Sequence, residues 1–166
     1  MLDDAPPHIA AVVAMALYTG QRLGDCLKAR WNDIEDGTIA VVQEKTDEPL
    51  LVPIHPDLVL VLDGLKKAPG PILRNAKGLP WTRDGFQSSF NTAKKRLGVE
   101  KTFHGLRHTA ATKLADAGCD DRTIAAITGH KSASMVRKYT RRADQKKRAI
   151  AAVEAFPTRQ NKNKSV

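Results

Sequence analysis

Glycine residues that follow helical patterns constrain the fold of this chain more than any other feature. Residues 9–18 are apolar, begin after Pro6 and Pro7, and are followed by Gly20, which is the proline-first and glycine-last arrangement of a short helix. Two later helical patterns stop in the same way at Gly118 and Gly129, because glycine readily adopts the left-handed conformation that ends a helix. The chain is therefore predicted to contain several short helices.

Helical spacing and capping residues place the other helices. Thr102 is the predicted cap of a helix that reaches residue 117, and Asp120 is the predicted cap of the next one. A longer helix begins near Ser132, contains Tyr139 and continues through residues 143–156. The remaining helices are predicted at residues 23–29, 56–67 and 83–97.

Two β-rich runs, TIAVVQ and LLVPI, flank the polar stretch EKTDEP and predict a β-hairpin. The sequence thus predicts an α+β fold that is mainly α-helical, with a small antiparallel sheet near the N-terminal third. The 166 residues suffice for one domain with a core. We expect that domain to cover residues 1–156 and a flexible basic tail to cover residues 157–166.

The net charge of the chain is strongly positive. Lysine and arginine total 27 residues against 18 acidic ones, which gives a formal charge of +9. Such an excess favours a polyanionic partner, because each phosphate that the protein neutralises releases counterions. Nucleic acid is the favoured partner, although ribosomal and membrane-surface proteins share this composition.

The sequence carries no sign of secretion or membrane insertion. The apolar run at residues 9–18 is too short to span a bilayer, and it lacks the basic flank and cleavage site of a signal peptide. Cys26 and Cys119 lack metal-ligand spacing and are too few for a disulfide framework. They are interpreted as small hydrophobic residues in a reducing compartment, and we expect a cytoplasmic protein.

The residues most indicative of chemistry lie between positions 102 and 139. His104 and Arg107 are three residues apart, so their side chains leave one face of a helix. Imidazole exchanges protons near neutral pH, and a guanidinium group binds phosphate oxygens in a fork. His130 follows the glycine that ends a helix, and Tyr139 comes nine residues later among basic residues. These residue types suit reactions at phosphate groups.

This order, H-x-x-R, then G-H, then Y, resembles the C-terminal signature of the tyrosine recombinases, the phage-integrase class. Upstream, TGQRLGDCLKARWNDI resembles the first box of that family, in which Arg22 matches an arginine after Thr-Gly. Lys45, with Thr46 in the hairpin turn, matches the position of the family's catalytic lysine. The resemblance covers nearly the whole chain and implies the tyrosine-recombinase, or DNA breaking-rejoining, catalytic fold. The catalytic residues that it implies are Arg22, Lys45, His104, Arg107, His130 and Tyr139.

The roles that this resemblance implies agree with the chemistry of phosphodiester cleavage. Negative charge builds on the non-bridging oxygens, where Arg22 and Arg107 would bind and His130 would donate a further hydrogen bond. A tyrosine phenol has an ordinary pKa of about 10, so the attacking group needs a proton acceptor. His104 is the candidate acceptor for Tyr139.

Several of these residues also allow an ordinary structural interpretation. Lys45 would protonate the leaving 5′-oxygen, but a charged turn is often only a solvated loop. Arg22 could form a simple surface ion pair with Asp25 one helical turn on. We expect Asp25, where the family more often has Glu, to orient Arg22. Tyr18 is expected in the core, and His108 is expected to be a core or capping residue.

Basic residues on two predicted helices are candidates for contacts with the DNA backbone. One group ends the helix at residues 83–97, and the other surrounds the candidate nucleophile. An ordinary solvated helix face is the alternative interpretation. The candidate DNA-binding residues are Lys94, Lys95, Arg96, Arg137, Lys138, Arg141 and Arg142.

The resemblance implies site-specific recombination through a 3′-phosphotyrosyl intermediate, for integration, excision or resolution of a DNA element, with no metal, ATP or other cofactor. The implied partner is double-stranded DNA, on which four protomers assemble and each lends residues 143–156 to a neighbour. The isolated chain is expected to be monomeric. Family members normally carry a separate N-terminal helical domain before the first box, so this chain is expected to be the catalytic domain alone. We expect a bacterial or phage-encoded, nucleoid-associated protein with no membrane or small-molecule partner.

Two other functions are compatible with parts of this pattern. A type IB topoisomerase uses the same tyrosine chemistry, although that group commonly has Lys or Arg where His104 stands. A non-catalytic DNA-binding module descended from a recombinase would explain the basic charge, although such a module is expected to have lost a signature residue. The sequence does not distinguish a phage integrase from a transposon recombinase or a chromosome-dimer resolvase.

Overall fold

The computed structural model describes residues 4–44 and 49–156, which form seven α-helices and one three-stranded antiparallel sheet. The strands are β1 (Ile34–Glu35), β2 (Thr38–Val42) and β3 (Pro49–Pro53). The predicted fold class, mainly helical with a small antiparallel sheet, is confirmed. The helices are α1 (Pro7–Thr19), α2 (Leu23–Lys28), α3 (Pro56–Asp63), α4 (Arg83–Arg96), α5 (His104–Asp116), α6 (Asp121–Thr128) and α7 (Ala133–Glu154).

Helix α1 forms the centre of the larger hydrophobic core. It begins at a proline and ends at Gly20, whose φ of 66° allows its N–H to bond back to Ala16. Its middle residues are buried almost all round, as their uninterrupted apolar sequence predicts. Phe86 and Phe90 of α4 stack with each other and meet Phe103 edge to face beside this helix. Burial of this apolar surface is the main driving force for folding here.

The predicted hairpin is confirmed by the pairing of β2 with β3, in which Ile39 opposes Val52 on the buried face. Strand β1 extends the sheet on the other edge of β2. The sequence did not predict it, because two residues are too few to show alternation. Residues 45–48, and Lys45 with them, lie outside the described residues, as does the predicted tail at 157–166.

The C-terminal helices form a second, smaller core. Ala111 and Ala115 on α5 allow close approach of α7, which inserts Val136 and Tyr139. Ile124 of α6 completes this cluster. In addition, the Thr140 hydroxyl donates a hydrogen bond to Asp121 at 2.5 Å, which links α7 to the start of α6. The small residues of α5 thus set the distance at which Tyr139 stands from that helix.

Several local predictions differ in detail from the structure. Helix α5 begins at His104, one residue later than a cap at Thr102 implies, although the Thr102 hydroxyl accepts a hydrogen bond from the Gly105 N–H at 3.2 Å, as a capping residue does. Tyr18 is only partly buried, because its hydroxyl reaches from the last turn of α1 to donate to Asp57 at 2.8 Å. Cys26 is buried in the core, and burial raises the pKa of its thiol. Within the described ranges, no helix is both long enough and apolar enough to cross a bilayer.

We expect Gly129→Ala to destabilise the fold by about 2 to 4 kcal/mol, as the sum of overpacking and left-handed strain. Gly129 has a φ of 69°, and a Cβ there would overlap the Gln43 amide and a Leu50 methyl group. The matched control is Gly98→Ala, where φ is 63° but nothing lies within 4 Å, so only about 1 kcal/mol of strain is expected. Urea unfolding of both variants measures the difference, and equal losses would contradict the packing argument.

Candidate active site

Arg22 stands immediately before α2, at the point where the chain leaves the α1 turn. Its backbone is extended, with φ −74° and ψ 159°, so the side chain leaves the helix end toward the sheet. Arg22 Nη1 lies 3.2 Å from Gln43 Oε1 and 3.9 Å from Asp25 Oδ2. Asp25 is buried, and its other oxygen accepts the Glu44 N–H at 3.3 Å. The carboxylate therefore stands between Arg22 and the end of β2.

Gln43, which the sequence analysis did not single out, joins the elements around this arginine. It is fully buried at the end of β2, and its Oε1 accepts from Arg22. Its Nε2 donates to Gln21 Oε1 at 2.5 Å and to the Thr128 carbonyl oxygen at 2.9 Å. A glutamine at a position where strand alternation puts a side chain into the core is the signal that could have revealed it.

Arg107 lies on the inner face of α5 and is 5% exposed. Its Nη1 donates to two carbonyl oxygens, that of Gly20 at 2.8 Å and that of Thr128 at 2.5 Å. Its Nη2 is buried without a hydrogen-bond partner among the described residues. Burial, and after it the charge of Arg22, lower the pKa of Arg107 to about 10, while Asp25 acts in the opposite direction. The group remains charged at neutral pH.

His130 follows the turn that ends α6 and is half-buried. Its Nδ1 lies 2.6 Å from Thr128 Oγ1, and that hydroxyl donates to the Ile124 carbonyl oxygen at 2.6 Å. Because the hydroxyl proton is already committed, His130 Nδ1 must be the donor, which leaves the lone pair on Nε2. Burial, followed by the charges of Arg107 and Arg22, lowers the pKa of His130 to about 4. The imidazole is therefore neutral here and must take up a proton before it can donate from Nε2.

Tyr139 is buried on α7, and its hydroxyl lies 2.6 Å from His108 Nδ1. The Lys138 ammonium lies 4.9 Å from the centre of the tyrosine ring, and the His130 ring centre lies 6.3 Å away. The expectation that His108 is merely a core or capping residue is wrong. His108 stands one full turn after His104 and so shares its helix face, which is the sequence signal that could have indicated this contact.

His104 is exposed at the start of α5 and does not contact the tyrosine hydroxyl. Its ring centre lies 5.2 Å from that of His108, with the planes at 77°. The structure therefore brings His108, and not the expected His104, to the phenolic oxygen. His104 still lies within one helical turn of the groups around Tyr139, on their solvent side.

The candidate DNA-binding residues fall into two separate places. Arg137, Lys138, Arg141 and Arg142 are exposed on α7 on either side of Tyr139, and Arg137 Nε lies 3.8 Å from Asp121. Those on the last turn of α4 lie elsewhere, since Lys94 borders a crevice with Ala5 and Ile9 at the start of α1. Arg22 follows the C-terminal end of α1, whereas this crevice lies toward the start of that helix.

Comparisons with known proteins give relatives of this chain by sequence and by structure. The model of the phage integrase family matches residues 3–146. This chain belongs to that family. It is 29% identical over 151 residues to the integrase of Escherichia phage lambda, covering 82% of this chain and 42% of the relative. It is 31% identical over 143 residues to the tyrosine recombinase XerC of Bradyrhizobium diazoefficiens, covering 79% and 44%.

Among solved structures, a lambda integrase tetramer bound to a Holliday junction aligns with a TM-score of 0.66 and 29% identity, covering 76% of this chain and 42% of that one. The family and the fold that the sequence resemblance implied are thus confirmed. The chain spans less than half the length of these relatives.

We expect the pKa of His130 to rise from about 4 when a phosphodiester binds beside it, because an anion stabilises the imidazolium form. Titration of the imidazole signals by NMR, with and without a duplex, measures the change, and His130→Gln assigns the signal. The free protein should also lose stability as pH falls from about 6.5, the ordinary pKa of histidine, toward the folded value of about 4, since the unfolded chain takes up the proton first. An unchanged pKa in the complex would contradict contact with phosphate.

Proposed function

We propose that this chain is the catalytic domain of a site-specific DNA recombinase, which cuts and rejoins strands through a 3′-phosphotyrosyl link at Tyr139. One observation carries the proposal: the Tyr139 hydroxyl lies in a cluster of cationic and imidazole groups that are short of negative charge. Arg22, Arg107 and Lys138 all act electrostatically on His130. Among the described residues, Asp25 is the carboxylate that acts on both arginines.

A phosphodiester supplies the charge that this cluster lacks. Two guanidinium groups near one carboxylate leave an excess of positive charge in a partly buried place, where electrostatic interactions are stronger than in water. Arg22, which is about one-third exposed, offers the first contact to a phosphate oxygen. The unpaired Nη2 of Arg107 and a protonated His130 would complete binding as the phosphate displaces the local packing. The same contacts would strengthen as charge develops during cleavage.

In the proposed reaction, the phenolic oxygen of Tyr139 attacks phosphorus and the bond to the 5′-oxygen breaks. Lys45, by the family resemblance, supplies the proton for that oxygen. His104 stands on the solvent side of the site as a further proton-exchanging group. The 3′-phosphotyrosyl link conserves the energy of the broken bond, so a 5′-hydroxyl from another strand can reverse the step without ATP. Exchange of strands between two duplexes then gives recombination.

The names of the relatives support this activity over the alternatives. The matched proteins are described as integrases and tyrosine recombinases, rather than as topoisomerases or binding modules. The full set of candidate residues, from Arg22 to Tyr139, also argues against a module that has lost its chemistry. Double-stranded DNA is the proposed substrate, and the exposed basic side chains of α7 would contact its phosphate backbone. A protein with this activity would act at the nucleoid of a bacterium.

We also propose that protomers assemble into a tetramer on DNA and are monomeric without it, as the resemblance implies. The lambda integrase structure is a tetramer on a Holliday junction. In this chain the second half of α7 carries Ile150 and Val153, and Phe156 follows just after the helix ends. Val153 and Phe156 are 73% and 75% exposed. Large apolar side chains at that exposure are suited to packing on a neighbouring protomer.

Covalent capture tests the chemistry. Nicked duplexes of random sequence, which trap a cleaved strand, are incubated with the protein or with Tyr139→Phe and separated on denaturing gels. We expect a shifted protein band from the wild type and none from the variant. Tyr18→Phe is the matched control, because Tyr18 is the other of only two tyrosines and bonds to Asp57. An adduct that survives in Tyr139→Phe, or its absence from the wild type, would contradict the proposal.

Assembly on DNA is tested separately. We expect the double variant Val153→Ser and Phe156→Ser to reduce tetramers on a junction substrate by about tenfold or more, because it removes buried apolar contacts each worth roughly 1.5–3 kcal/mol. Ala152→Ser, at an exposed position of the same helix, is the control. Light scattering on the purified complexes gives the populations. Unchanged assembly by the double variant would exclude this face as the contact.

A further inference from the structure

We propose that His108 is the residue that removes the proton from Tyr139 in the cleavage step. This inference rests on the proposed function and assigns one of its steps to a residue outside the family resemblance. The observation that carries it is direct contact with the reacting atom: His108 Nδ1 lies 2.6 Å from the Tyr139 hydroxyl oxygen. Such a distance is that of a well-formed hydrogen bond, within reach of proton transfer.

The packing of α5 against α7 holds this pair together. His108 is on α5 and Tyr139 on α7, and the two rings are 5.5 Å apart between centres. The helices approach closely because Ala111 and Ala115 face Val136 and Tyr139 in the smaller core. The donor and the acceptor are therefore aligned by buried packing before any DNA is bound, which lowers the cost of reaching the reactive geometry.

The charges around His108 keep it in the form that can accept a proton. Burial lowers its pKa below the ordinary value, and the charges of Lys138, His104 and Arg107 lower it further. His130 and Tyr139 are the other titratable groups that face it. A neutral imidazole with its proton on Nε2 presents a lone pair at Nδ1, toward the phenol. His108 therefore differs from His130, whose Nδ1 is committed to Thr128.

Proton transfer to His108 accompanies the exchange of bonds at phosphorus. The O–H bond of Tyr139 breaks and its proton passes to Nδ1 of His108, which becomes an imidazolium. The phenolic oxygen uses the released electron pair to form a bond to phosphorus, and the bond from phosphorus to the 5′-oxygen breaks. That oxygen takes a proton from the general acid, proposed above to be Lys45. In the reverse step the imidazolium returns its proton to the phenol as the phosphotyrosyl bond breaks.

His104 does not fit this step as well in the structure. It is exposed, and its ring centre is 5.2 Å from that of His108 rather than against the hydroxyl. His108, one turn along the same helix face, is the residue whose ring nitrogen contacts the Tyr139 hydroxyl. The assignment of the acceptor thus moves from His104 to His108, while His104 keeps a place at the solvent side of the site.

Two substitutions of similar shape separate proton acceptance from packing. In His108→Asn, an amide oxygen takes the place of Nδ1 and can accept a hydrogen bond but cannot take the proton. In His108→Asp, a carboxylate oxygen in the same place can do both. With the nicked duplexes, we expect His108→Asn to slow adduct formation by about 100-fold at neutral pH, the usual scale of general-base catalysis. His108→Asp should recover part of this loss. Equal rates for His108→Asn and the wild type would overturn the proposal.

The pH profile and a more acidic phenol supply readouts that a structural role would not change. In a Tyr18→Phe background, fluorotyrosine incorporated throughout the protein labels position 139 alone. We expect the deficit of His108→Asn to shrink toward high pH and with fluorotyrosine, because a more acidic phenol needs less help from a base. A loss of rate in His108→Asn that neither condition relieves would overturn the assignment to His108. So would a loss of rate in His104→Asn that these conditions relieve while that of His108→Asn stays unchanged.

The same assays distinguish this inference from the proposed function. If the wild type forms the adduct, Tyr139→Phe does not, and His108→Asn reacts normally, only the role of His108 fails. If the wild type forms no adduct, or Tyr139→Phe forms one, the phosphotyrosyl chemistry fails and the role of His108 fails with it.

Discussion

The carbonyl oxygen of Thr128 is the point on which the arrangement of the site depends. It accepts one hydrogen bond from Arg107 at 2.5 Å and another from Gln43 at 2.9 Å. Carbonyl groups at the C-terminus of a helix have no partner within the helix and carry the negative end of its dipole. The end of α6 therefore binds a cation from α5 and an amide from β2, and so joins three elements that are distant in sequence. Gly129 makes this possible, because its left-handed conformation turns the chain away at that residue.

Burial of Arg107 gives the site its electrostatic character. A buried guanidinium group with an unpaired nitrogen is costly, since desolvation disfavours its charged form. Its lowered pKa, of about 10, reflects that cost. Arg22 adds a second positive charge nearby, and Asp25 offsets only part of it. Two positive charges beside one carboxylate are incompletely neutralised, so an anion bound beside them would offset part of the desolvation cost of Arg107.

Local sequence predicted much of the fold because the helices are bounded by proline and glycine, whose backbone preferences differ most from those of other residues. Proline before α1 and the glycines after α1 and α6 act within one turn, so their effect needs no knowledge of the rest of the chain. The hairpin was also predictable from its two β-rich runs. By contrast, β1 exists only because it pairs with β2, and its own two residues carry no pattern. The position of the last turn of α4 beside the start of α1 was likewise not predictable, since it depends on long-range packing.

By itself, the sequence determined which chemical groups the protein has and the order in which they occur: guanidinium, imidazole and phenol groups at spacings that identify its family. Only the tertiary structure decided which of these groups meet. Helix periodicity placed His104 and His108 on one face of α5, but it could not say which of them α7 would bring to Tyr139. Gln43 similarly acquired its place from the crossing of β2 with the ends of α1 and α6. Contacts between helices and strands depend on packing distances set by small residues such as Ala111, and those distances are properties of the folded chain as a whole.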